Sequence, residues 1–252
     1  MDKKLLAISF LISSAIIVAI LSVPDIMEAL ANSVLEKLGV NLIFLALLFI
    51  GIIHGLKPDE HTWPITIPYA LAQKDLKRAI LASFVFTGAL TLVWTFLSLA
   101  VSQIFLFINP QVTTPYADLI AGITMIIVAC LFILRSKRNE NGLKTSSPAP
   151  DYKYIWIHGL AASFGGDFIV VLILTSVLIG SIIPSSIGFM IGLMFGVGSM
   201  LAQSLVVMAA YKSAKSIVKN ADMMARSGIL SLFFLGIFLV GLGIVSFIGF
   251  TT

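Results

Sequence analysis

Seven stretches of this chain, at about 5–23, 42–72, 80–107, 117–134, 155–180, 185–211 and 228–250, are almost free of charge and rich in Leu, Ile, Val and Phe. A helix crossing the hydrocarbon of a bilayer needs roughly 20 predominantly apolar residues, because it rises about 1.5 Å per residue through about 30 Å. Seven such runs in 252 residues leave no room for a separate soluble domain. The composition agrees: 59% of the residues are hydrophobic and 11% charged, against about 45–50% and about 25% in soluble proteins. A soluble enzyme, a disordered chain and a nucleic-acid-binding domain are excluded on this balance. The single cysteine, Cys130, permits neither an internal disulfide nor a cysteine-rich metal site.

Basic residues orient the spans. Lys3 and Lys4 precede the first. Lys74, Lys77 and Arg78 follow the second. Arg135, Lys137, Arg138, Lys144 and Lys153 follow the fourth, and Lys212, Lys215, Lys219 and Arg226 the sixth. All of these fall on one side; Lys37 falls on the other and Lys57 lies within span two. The positive-inside rule predicts a multi-pass plasma-membrane protein with its N-terminus cytoplasmic and its C-terminus outside. The first span has a rival reading as a signal peptide cleaved near Ala29-Leu30-Ala31; the length of its apolar stretch favours a retained helix.

An internal repeat organises the rest. Ile53-His54-Gly55-Leu56 recurs 104 residues later as Ile157-His158-Gly159-Leu160, and the same offset carries Gly88 onto Gly192. Each copy opens a group of three spans, so the second group runs opposite to the first. The predicted fold is therefore all-α and polytopic: an N-terminal helix and external loop (1–41), a first three-helix repeat (42–134), a cytoplasmic linker (135–154) and an inverted second repeat (155–252). In transporters built this way substrate binds between the halves, and rocking one half against the other exposes it to each side in turn.

The chemistry concentrates in span two, in the string His54-Gly55-Leu56-Lys57-Pro58-Asp59-Glu60-His61-Thr62-Trp63-Pro64. Ionisable groups at this depth face a cavity or a partner. Pro58, Pro64 and Pro68 each remove a donor from the carbonyl four residues back, so the helix is predicted to break between about Leu56 and Thr62, with the His54 carbonyl freed and Asp59 capping the second piece. Two imidazoles with carboxylates suit a borderline divalent ion such as nickel, cobalt, zinc or ferrous iron. Lys57 is either a competing internal cation or a side chain that snorkels away. In the second repeat, His158 and Gly165-Gly166-Asp167 are the matching polar points, with the glycines loosening span five as the prolines do span two. The candidate metal ligands are thus His54, Asp59, Glu60, His61, His158 and Asp167. Thr87, Thr91, Ser199 and Gln203 are weaker polar candidates on spans three and six, and Asp118 caps span four. Neutral imidazole is the ligand form, so affinity should fall as pH drops through the histidine range, about 6.5 for an unperturbed ring. Plainer readings stand beside these. His54 could bond a neighbouring helix, Asp59 and Glu60 could pair with Lys57 at the membrane boundary, and His158, near the cytoplasmic start of span five, could be structural or interfacial. The span-six glycines read as close-packing residues.

The string 53–61 resembles the signature of the nickel/cobalt transporter (NicO-type) and urease-accessory membrane proteins, in which a histidine is followed after four residues by aspartate and histidine. His54 and Asp59 match it; Glu60 intervenes before His61. The resemblance implies a permease or exporter of divalent transition metals whose ligands come from this span. It extends over roughly 42–250, and its specific part is 54–61. The metal is then substrate, with no prosthetic group. The chain is expected not to be an enzyme, and its partners are the bilayer, the metal ion and, compatibly, a second copy or a membrane complex, with no nucleic acid. Two other classes remain: an exporter of a small non-metal solute on the same scaffold, and a non-transporting intramembrane metal hydrolase or accessory subunit.

Overall fold

Lys57 precedes Pro58, and the clash of a proline ring with the preceding residue pushes that residue to extended backbone. Lys57 has φ −65° and ψ 127°, and the helix before it stops at Leu56. This is seen in a computed structural model that describes residues 3–22, 42–58, 62–104, 151–164, 166–179, 182–218, 221–251 and most positions within 119–134. The chain is all-helical, with no strand among the described residues. In chain order the helices are α1 (Lys3–Ser22), α2 (Ile43–Leu56), α3 (Trp63–Leu71), α4 (Leu76–Ile104), α5 (Tyr152–Ala162), α6 (Gly166–Leu178), α7 (Phe189–Ile217) and α8 (Ala221–Thr251). Helical residues also occur within 119–134.

Among the described residues three stretches, Leu76–Gln103, Ser185–Ser216 and Met223–Ile248, are long and apolar enough to cross a membrane. They point to a membrane protein, as do side chains such as Phe10, Phe49, Phe96, Leu205 and Val245 left exposed on the outside of the helices. The other two apolar runs that the sequence divides are divided here. α2 and α3 have 14 and 9 residues, and α5 and α6 have 11 and 13. At about 1.5 Å per residue none of the four reaches across about 30 Å alone, whereas each consecutive pair does.

Helix ends depart from the apolar boundaries at the basic side. α4 starts at Leu76 rather than near 80, α7 runs on to Ile217 rather than 211, and α8 starts at Ala221 rather than 228. Hydropathy marks only the apolar part of a helix; the backbone ladder continues into the polar layer. Local caps set the true starts. The Arg78 N–H donates to Asp75 Oδ1 at 2.9 Å ahead of α4, and the Lys153 N–H to Asp151 Oδ1 at 3.1 Å ahead of α5.

Contacts fix the directions in which the helices run. Gly51 lies against Phe195 and Gly55 against Ser199, so α2 and α7 run side by side in the same direction. Gly159 lies against Phe86 and Ala89, and the Trp94 indole N–H donates to the Ser163 carbonyl at 3.4 Å, so α5 follows α4 in the same direction. α4 and α7 are antiparallel, with Gly188 on Ser102, Gly192 on Trp94 and Ser98, and Gly196 on Thr91. These are the close approaches expected of the span-six glycines; an added Cβ would overlap the neighbour at each. The repeat-matched Gly88 differs, meeting only the Trp156 side chain at 3.7 Å. The α4–α7 crossing forms the centre, where Trp94, Phe86 and Phe195 are fully buried. α1 packs on α8, with the Ser231 hydroxyl donating to the Ser9 carbonyl at 3.1 Å.

Candidate functional site

His54 is in the last turn of α2 and Asp167 in the first turn of α6. Each is placed where the helix dipole favours its charge, a cation near a C-terminus and an anion near an N-terminus. The two breaks bring them together: His54 Nε2 lies 2.9 Å from Asp167 Oδ1, with side chains 13% and 7% exposed. So little exposure means that water screens the pair weakly. With the imidazole protonated this is an ion pair; with it neutral it is an imidazole nitrogen beside a carboxylate oxygen, the donor set of a borderline divalent cation. The Phe195 ring, with its centroid 5.0 Å from that of His54, supports the imidazole from α7, and Trp94 backs Phe195 at 5.3 Å.

The break in span two has the predicted cause with a different carbonyl arrangement. Pro58 cannot donate to the His54 carbonyl, but the Lys57 N–H does, at 3.0 Å, while also reaching the Ile53 carbonyl at 3.0 Å. The His54 carbonyl is thus engaged rather than freed, because the last turn tightens by one residue. The second piece begins at Trp63 with Thr62 as its N-cap and Pro64 in its first turn. This corrects the expectation of an Asp59 cap, since Asp59 stands too many residues before the first helical position. Span five divides between Ala162 and Gly166, beside the predicted glycine pair. Asp59, Glu60 and His61 lie outside the described residues, as does Asp118. Among the described residues no group of three His, Cys, Asp or Glu gathers as a metal cage.

His158 lies inside the protein. It is 1% exposed, and its Nδ1 shares a 2.6 Å hydrogen bond with the Tyr69 hydroxyl on α3. Its ring meets Tyr69 and Phe86 edge-on at 5.6 and 5.7 Å. Its partners are therefore different from those of His54, although the two occupy equivalent places in the repeat. Thr87, Thr91, Ser199 and Gln203 are all buried. The Thr87 and Thr91 hydroxyls donate to carbonyls one turn back, at 2.8 Å each. Lys57 is half-buried.

Sequence reasoning missed Tyr69 and Phe195. Tyr69 carried a partial signal: a tyrosine deep in an apolar run needs a partner for its hydroxyl, but nothing in the sequence says which. Phe195 carried none, because a phenylalanine supporting a ring looks like any other apolar filler. Outside the spans, burial pushes the Tyr152 phenol above its ordinary range, the Arg78 guanidinium pulls it down, and Asp75 pushes it up. The starts of α4 and α5 therefore share one face of the protein. A comparison with known protein families, with curated proteins and with solved structures found no match to this chain.

Proposed function

We propose that this chain carries a divalent transition-metal cation of the nickel or cobalt kind across a membrane, through a site at the junction of its two broken helices. The observation that carries this reading is the 2.9 Å approach of His54 Nε2 to Asp167 Oδ1. One ligand comes from each sequence repeat, each stands at a helix break, and the pair is largely shielded from water. Irregular backbone at membrane depth is tolerated where it lines a cavity or is buried in protein, and ionisable groups there mark a pathway by default. Asp59, Glu60 and His61 follow directly in the chain and complete the proposed ligand set; His158, held by Tyr69, is left out of it.

The inverted-repeat plan belongs to the same proposal. α2 runs with α7, α5 runs with α4, and α4 opposes α7, so the two His-Gly helices run in opposite directions. That supports opposed halves; seven spans and a cytoplasmic N-terminus complete the proposal, on the apolar runs and the distribution of basic residues. The resemblance of 53–61 to the nickel/cobalt signature supports the choice of cargo. A non-metal solute moved against protons is the second reading, favoured by the same pair, because a histidine beside a carboxylate also holds a proton.

Nickel titration into the purified protein, with His54→Ala and Asp167→Asn beside it, tests the proposal. Each variant should bind nickel at least roughly tenfold more weakly, since even indirect supports of a metal site are worth 10–100-fold. Binding should weaken on acidification as His54 takes up a proton in competition with the metal. Metal affinity and cellular metal tolerance left unchanged by both substitutions would reject these residues as ligands.

A further inference from the structure

On α7, Phe195, Ser199 and Gln203 are four residues apart and lie on one face. Phe195 stands beside the His54 ring, and the backbone of Ser199 occupies the space beside Gly55, the next residue along α2. The Gln203 side chain turns back along the helix, and its Nε2 donates to Ser199 Oγ at 3.0 Å. Its amide head is thereby held at Ser199, whose backbone lies beside Gly55, the residue that follows His54. Gln203 is 0% exposed and Ser199 1%, yet Gln203 Oε1 has no hydrogen-bond partner among the described residues. A fully buried amide oxygen left without a donor is rare in native proteins and calls for an occupant that supplies one.

The two remaining polar neighbours sharpen the identity of that occupant. α4 and α7 are antiparallel, with contacts stepping from Ser102–Gly188 to Thr91–Gly196, so Thr87 and Ser83 continue toward Ser199 and Gln203. The Ser83 hydroxyl is also buried and without a partner among the described residues. All of these groups are neutral. A divalent cation held by an imidazole and a carboxylate fills its other positions with water. Such a water turns its oxygen to the ion and both hydrogens outward, so the wall facing it must accept rather than donate. Gln203 Oε1 meets that requirement, with one of the two amide hydrogens already given to Ser199 Oγ.

We infer that Gln203 forms the neutral wall of the site, its Oε1 accepting a hydrogen bond from a water bound to the transported cation, with Ser199 as the residue that positions the amide. This rests on the metal-transport reading above. It gives the site a ligand class, a partly hydrated divalent ion.

The test is nickel titration by calorimetry on the full-length protein in detergent, unsubstituted and as His54→Ala, Gln203→Met and Gln203→Glu. Gln203→Met keeps length and burial and removes the acceptor, so it should bind nickel roughly 10–100-fold more weakly, with the metal-free melting temperature unchanged or raised. Gln203→Glu keeps an acceptor and adds negative charge, so it should bind as tightly as the unsubstituted protein or more so. Unsubstituted affinity in Gln203→Met, with binding lost in His54→Ala, overturns the inference and leaves the transport reading standing. Weakened binding in Gln203→Glu also overturns it, and decides the matter if Gln203→Met does not fold. Absence of nickel binding by the unsubstituted protein overturns both.

Discussion

The Nδ1 of His158 is taken by the Tyr69 hydroxyl at 2.6 Å, while the Nε2 is buried without a partner among the described residues. Removing the hydroxyl would strand the whole ring in apolar surroundings. Tyr69→Phe should therefore lower stability by about 1–3 kcal/mol, the cost of leaving a buried polar group unmade, read as a lower melting temperature in detergent. Nickel affinity should not follow, because the Tyr69–His158 pair lies outside the proposed ligand set. An unchanged melting temperature would show that the bond adds nothing to the fold. The meeting of His54 with Asp167 was legible in the sequence, because charge inside an apolar run is costly and two such costs are met most easily together. The pairing of His158 was not, since the repeat suggested a shared role for the histidines and only the fold distinguishes their surroundings.

At the scale of the helix, one proline and a few glycines decide the layout. Pro58→Ala restores an N–H that can reach the His54 carbonyl, and α2 should lengthen past Leu56. His54 would then turn away from Asp167. Nickel binding should fall by at least roughly tenfold, as for a displaced support, while thermal stability holds or rises, since proline is the poorest helix former. Equal binding in the variant would mean that the break does not position the imidazole. The glycines give a paired prediction. A Cβ at Gly51 would overlap the Phe195 carbonyl, whereas one at Gly241 meets nothing within 4 Å among the described residues. Gly51→Ala should destabilise by about 1–3 kcal/mol, the usual cost of overpacking, and Gly241→Ala should be neutral or gain up to about 1 kcal/mol in helix propensity. Chemical or thermal melting of the two separates backbone contact from composition. The breaks themselves were readable because prolines and paired glycines act locally; the helix starts were not, since they depend on caps such as Asp75 that hydropathy does not register.

For the molecule as a whole, the shared face of the α4 and α5 starts makes the sidedness testable. With Cys130 replaced by serine, cysteines introduced as Asp75→Cys and Asp151→Cys should both react with an impermeant thiol reagent from the cytoplasmic side. Ser186→Cys, at the far end beside the start of α7, should react from outside. Labelling of Asp75→Cys and Ser186→Cys from the same side would contradict the proposed topology. The all-helical architecture followed from apolar runs of spanning length, while the directions of packing came from contacts between residues far apart in sequence, which no single run encodes.

Glycine contacts also bind the repeats to one another. α2 of the first repeat lies with its backbone against α7 of the second, through Gly51, Gly55 and Gly198, and α5 of the second lies against α4 of the first through Gly159. Each leading half-helix is therefore clasped by the other repeat, much as two hooks close on each other. Swinging one sequence repeat bodily against its twin would pull both clasps open at once, in a bilayer that offers no apolar penalty to replace them. In the transport cycle proposed above, a hinge would then run elsewhere, with α2 moving with α7 and α5 with α4, and the moving bodies would not coincide with the two sequence halves.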